Sequence, residues 1–143
     1  MALTKIVSKI TKNACLDSQL YNFITDFRNI GLMLPPDMQE KVSYTENSIS
    51  IEAMAGMNVT LIILEQEPHS LVKLGAEGSE ELTIWIQLKQ AAPYDTRIRV
   101  TIHARIPAIA KFIGKKKLQT FADGFADALA QIPTIAFQPN SFN

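Results

Sequence analysis

The sequence predicts an α+β fold in which a seven-stranded, curved antiparallel sheet surrounds a long C-terminal helix, with two short helices after the first strand. Three observations carry that prediction. The chain breaks at Pro107, and beyond it Leu118, Phe121, Ala122, Phe125, Leu129 and Ile132 recur at three- and four-residue steps, so they share one helical stripe. Between Pro35 and Arg105 the apolar residues alternate at period two or come in short bursts, as strands require. Short turn-like segments separate the bursts, so successive strands are expected to lie side by side and antiparallel.

Thr4 to Lys12 reads as the first strand, with Ile6 and Ile10 on one face. A short helix follows, because Leu16, Leu20, Phe23, Ile24 and Phe27 fall on one stripe and Asp17 puts a negative charge in the first turn. Asn29 to Leu34 is a brief helical or irregular connector, stopped by Pro35-Pro36, neither of which can donate to a helix. Met38 to Tyr44 is the next strand, and Glu46-Asn47-Ser48 is turn material. Ser48 to Met54 alternates through Ile49 and Ile51, and Gly56 marks a reversal. Asn58 to Glu67 is the most apolar strand. Pro68-His69-Ser70 turns the chain into Leu71 to Gly75, and Gly78-Ser79-Glu80 turns it into Leu82 to Gln90. Ala92-Pro93-Tyr94-Asp95 makes the last hairpin, before Thr96 to Arg105. In these last two strands Leu82, Ile84, Ile86 and Leu88 face one way, as do Ile98, Val100, Ile102 and Ala104, while Trp85, Arg99 and His103 face the other. A sheet covered on one side has this alternation.

With 143 residues, 47% of them apolar, the chain fits one domain with a sizeable core, taken here as residues 1–132 followed by a tail from 133 to 143. Fourteen basic and fourteen acidic residues cancel, which argues against nucleic acid as the main partner. Cys15 is the only cysteine, so the chain forms no internal disulfide and no cysteine cluster for zinc. No apolar run is long enough to span a bilayer, and the N-terminus enters a strand pattern without a signal-peptide core. A reducing cytoplasm is the expected location. No cofactor and no metal is expected, because His69 and His103 stand alone at opposite ends of the strand region.

Few residues carry a chemical signal. His103 could serve acid–base work, but its parity puts it on the outward polar face. Trp85 shares that face, where it would suit a homodimer or protein partner, or simply cover the sheet. Lys111 and Lys115-Lys116-Lys117 read either as an attraction for lipid headgroups or as a solvated helix face. Asp26, Asp37, Glu52 and Glu65 are the candidate buried acids, and linear spacing does not bring any two together. Asp26 is also placed to bond nearby backbone amides. Met33, Met54 and Met57 fall around the connector and a strand turn, where adaptable side chains suit variable apolar ligands or an ordinary core.

The order of strand, two short helices, meander and long helix resembles the START-like (SRPBCC) superfamily, whose fold is the helix grip. The segment Leu20 to Asn29 resembles the family's first helix with its trailing Asp and Asn, and Met33-Leu34-Pro35 resembles the exit into the second strand. Gly56, the Val59/Leu61/Ile63 strand, Glu67-Pro68 and the Pro107-led helix follow in the expected order. The resemblance extends to polyketide cyclase/dehydratase-like and related bacterial members. It implies a cavity between sheet and helix that holds an apolar molecule, and in some members catalysis of cyclisation or dehydration.

On that basis the expected partner is a small hydrophobic molecule, lipid- or polyketide-like. Leu61, Ile63, Ile84, Ile86, Val100 and Ile102 would contact it from the sheet. Ile113, Leu118 and Phe121 would do so from the helix, and Met33, Leu34 and Met57 from the rim. No catalytic residue is assigned. Two alternatives stay open: an enzyme of the cyclase or dehydratase type, and a ligand-free protein-interaction module that uses the outer face around Trp85.

Overall fold

The computed structural model describes residues 4–33, 40–52, 58–78, 82–105 and 107–137. The chain runs β1 (Thr4–Val7), β2 (Thr11–Asn13), α1 (Asp17–Ile24), α2 (Phe27–Met33), β3 (Val42–Tyr44), β4 (Ser48–Glu52), β5 (Asn58–Glu67), β6 (Leu71–Ala76), β7 (Leu82–Ala92), β8 (Asp95–Ala104) and α3 (Pro107–Ala130). A 3-10 turn, Thr134–Phe137, follows. All neighbouring strand pairs are antiparallel, in the order β1-β8-β7-β6-β5-β4-β3, and β2 also pairs with β8. The fold class is the α+β architecture that the sequence predicts.

The first strand departs from expectation. Val7 stands opposite Thr101 and Thr11 opposite Ile98, so four steps on one strand face three on the other. The extra residue divides Thr4–Lys12 into β1 and β2, which makes an eight-stranded sheet out of the expected seven. A bulge of this kind reverses the side-chain alternation beyond it. Ile6 is 1% exposed, whereas Ile10, expected on the same face, is 64% exposed. Ser8 mends the ladder: its N–H donates to the Val100 carbonyl, and the Val100 N–H donates to Ser8 Oγ, each at 2.8 Å.

The short helices are set by local bonds. Gln19 Oε1 accepts the Leu16 N–H at the start of α1, and Thr25 Oγ1 donates back to the Tyr21 carbonyl at its end. Asp26 caps α2, accepting the Arg28 N–H at 3.0 Å on Oδ1. Phe27 N–H donates to the Glu46 carbonyl, which ties the start of α2 to the β3–β4 turn. Tyr44 lies against Gly31, where a Cβ would collide with its ring.

Helix α3 packs against β8, β1 and β2, α2 leans on β3 and β4, and α1 meets β7. Alternate residues of the N-terminal strands tether α3. Val7 carbonyl accepts from Gln119, Lys9 N–H donates to Asp123, Thr11 Oγ1 donates to the Ala126 carbonyl, and Asn13 reaches the last carbonyls of the helix. The stripe expected on α3 is buried at Leu118, Ala122, Leu129 and Ile132, together with Ala126. Phe121 differs, being 49% exposed. Its position at the margin of the stripe leaves an aromatic ring facing Phe125 rather than the sheet. In the tail, Phe137 meets Phe23 edge to face, with centroids 5.6 Å apart.

Candidate functional site: the apolar concave face

Strand register builds the site. Ile6 stands opposite Ile102, Ile102 opposite Ile84, Ile84 opposite Leu74 and Leu74 opposite Ile63, one aliphatic row across five strands. A second row runs Val100, Ile86, Val72. Leu61 stands opposite Ile49 on the next pair. The six sheet residues expected around a ligand therefore share one concave face on β5, β7 and β8. β-Branched side chains suit this surface because they fit a pleat that is buried on one side.

Cover over this face is uneven. Ile84, Ile86, Val100 and Ile102 are fully buried, and Leu61 nearly so. Ile63, Val59 and Val42, which follow on the side away from α3, are only partly buried. Leu118 of α3 is buried on the other side.

A cleft opens at the thin side. Strand β4 pairs with β5 only as far as Ile62, while β5 continues to Glu67. The register of β5 also shifts between Ile63 and Glu65, and Leu64 turns toward Gly75 of β6. The free stretch of β5 faces the end of α1 and the β3–β4 turn. Thr25, Asn47, Ile63, Leu64, Glu65 and Gln66 enclose about 460 Å³ there. Of this group the sequence predicts only Ile63 as a ligand contact, and Glu65 as a candidate acid. The cleft arises from unequal strand lengths and a bulge, and the unbroken run Leu61-Ile62-Ile63-Leu64 hides both.

The rim and helix residues fall differently. Met33 ends α2 and Ile113 lies in α3, but their side chains lie outside the described residues, as do Leu34, Met54 and Met57. Lys116 is exposed on α3, and the side chains of Lys111, Lys115 and Lys117 lie outside the description.

The candidate acids and base among the described residues, Asp26, Glu65 and His103, do not converge. Asp26 is engaged by the Arg28 guanidinium at 2.6–3.2 Å, which holds its carboxyl below the usual range. Glu65 is exposed and lies 3.7 Å from Lys73 on the convex side. His103 is on that side too, against Trp85, and burial followed by the charges of Lys5 and Arg105 pushes its pKa down. Asp37 and the side chain of Glu52 lie outside the described residues. Among the described residues every buried side-chain polar atom has a hydrogen-bond partner, and no three His, Cys, Asp or Glu side chains could hold a metal ion. Nor is any helix among them long and apolar enough to cross a membrane. What the aliphatic rows of this face offer is apolar area to remove from water rather than a polar group.

No protein-family model and no curated protein sequence matches the chain. Solved structures do. Norcoclaurine synthase from Thalictrum flavum, in complex with dopamine and hydroxybenzaldehyde, superposes with a TM-score of 0.69 at 11% identity, over 97% of this chain and 90% of that one. A Mesorhizobium loti protein gives 0.59 at 16% identity, over 90% and 95%. The protein Ara h 8.0201 gives 0.53 at 14% identity, over 90% and 96%. At these identities the likeness is one of architecture, and the architecture is shared along nearly the whole of each chain. The chain has the helix-grip fold.

Proposed function

We propose that this protein binds a small hydrophobic molecule, lipid- or polyketide-like, between the concave face of the sheet and α3. The aliphatic row from Ile102 through Ile84 and Leu74 to Ile63 is the observation that carries the reading. Leu61, Ile86 and Val100 extend the contact surface, and Leu118 supplies the helix side. Ile113, Met33, Leu34 and Met57 complete the lining in this proposal, with Phe121 at its margin. The cleft beside Ile63 would admit the molecule. Burial of apolar area at roughly 25 cal/mol per Å² would drive binding, so shape rather than hydrogen bonding would set selectivity.

An enzyme of the cyclase or dehydratase type is the second reading, and the likeness to norcoclaurine synthase favours it. It requires a polar group on the concave face, and the rows named above are aliphatic throughout. Binding is therefore the better-supported function.

Native mass spectrometry of protein purified from its host, before and after organic extraction, tests the proposal. Binding predicts a recurring adduct that extraction removes. A bare chain mass in every preparation, with no uptake of added apolar molecules, would contradict it.

A further inference from the structure

The convex face carries a recess of a different chemistry. It encloses about 270 Å³ where β1, β8 and β7 run side by side. Alternation puts Lys5, His103, Thr101, Arg99, Trp85 and Gln87 on this face, opposite in parity to the buried aliphatic rows. The recess forms where β1 ends at Val7, so the β8 residue Arg99 loses its neighbour on one side.

Its parts are already positioned. The Trp85 indole meets the His103 ring at a centroid distance of 4.5 Å, and Lys73 Nζ lies 5.7 Å from the indole centroid. Arg99 Nε donates to Gln87 Oε1 at 2.7 Å, which fixes the guanidinium and leaves its two terminal nitrogens for another acceptor. Of the acids nearby, Glu65 pairs with Lys73, the cation over the indole, and Asp95 pairs with Arg97. Among the described residues no carboxylate lies within salt-bridge distance of Lys5 or Arg99. A chain with no formal net charge thus gathers positive charge around its single tryptophan. The positive field of Lys5 and Arg105 also contributes to the lowered pKa of His103, after burial.

We propose that this recess is a binding site for a small flat aromatic carboxylate, its anionic group on Arg99 and Lys5 and its ring against Trp85. A guanidinium held by one side chain can take both carboxylate oxygens at once, and an indole face offers area to a planar ring. The site is separate from the concave face and takes the opposite chemistry, so the two proposals stand or fall independently.

Because Trp85 is the only tryptophan, its indole N–H gives one resonance in a nitrogen-15 correlation spectrum of the full chain. The probes are 4-methylbenzoate and its uncharged isostere 4-methylbenzamide. The carboxylate is expected to shift that resonance saturably, and the amide is not. Arg99→Gln should weaken carboxylate binding roughly tenfold, as loss of charge-assisted hydrogen bonds requires. Lys89→Gln, at an exposed cation on β7 outside the recess, should leave it unchanged. Equal shifts with carboxylate and amide, no saturable shift with the carboxylate, or equal affinity in Arg99→Gln would each overturn the proposal.

Discussion

The side-chain amide of Asn13 donates to the Leu129 carbonyl at 2.9 Å, and also to those of Ala130 and Ile132 at 3.2 and 3.0 Å. A residue near the start of the chain thereby caps the C-terminal end of α3. The last carbonyls of a helix have no partners within it, and here one buried amide serves two of them, Leu129 and Ala130, and the Ile132 carbonyl just beyond the helix. This contact holds α3 over β8, β1 and β2 and so fixes one wall of the concave face.

Asn13→Ala should lower stability by about 2 kcal/mol, the usual cost of leaving buried hydrogen-bonding groups unpaired. Asn13→Asp should cost more, because a carboxylate accepts only and sets negative charge against the negative end of the helix. Urea unfolding checks both. A midpoint for the Asp variant at or above that of the Ala variant would refute the capping role.

Gly31→Ala is expected to destabilise by about 1–2 kcal/mol, since the new methyl group meets the Tyr44 ring. In a Tyr44→Ala background the sign should reverse, with a gain of up to about 1 kcal/mol from helix propensity. A double-mutant cycle in denaturant measures the coupling. Equal effects in the two backgrounds would show that the ring is not the obstacle.

The pKa of His103 is lowered from its ordinary 6.5 by burial first, then by Lys5 and Arg105. The folded state therefore resists protonation more than the unfolded chain does. Stability from this group is full above the unfolded value and is lost as pH falls from about 6.5 through the folded value. His103→Gln should flatten that part of the stability profile on the acid side of about 6.5, the ordinary histidine value. An unaltered slope would assign the effect to other groups.

Cys15 is fully buried, and burial pushes its thiol pKa up. Folded protein should therefore react with a thiol reagent only as fast as it opens, and unfolded protein at once. Immediate stoichiometric labelling of the native chain would contradict this burial.

Much of the fold was legible because the pattern and the punctuation agreed. Asn58–Glu67 was read with its observed bounds, since Pro68-His69-Ser70 ends an apolar run that Leu71 restarts. The inward faces of β7 and β8 followed from strict alternation, and they hold four of the expected ligand contacts, Ile84, Ile86, Val100 and Ile102. Bulges were the blind spot. Ser8 and Leu64 each change parity, and nothing in a polar Ser-Lys pair or an unbroken aliphatic run shows the change. For that reason alternation alone puts Ile10 on the face opposite to the one it occupies and gives no sign of the cleft beside Ile63. Phe121 shows a different limit: stripe periodicity does not say which edge of the stripe the sheet covers.

Titration with a neutral fluorescent apolar probe, N-phenyl-1-naphthylamine, tests binding at the concave face most directly. The proposed function predicts a saturable rise in fluorescence with the unmodified chain, and its loss in Ile63→Trp, where the larger side chain fills the mouth of the site. A rise that never saturates, or equal binding by Ile63→Trp, would contradict it.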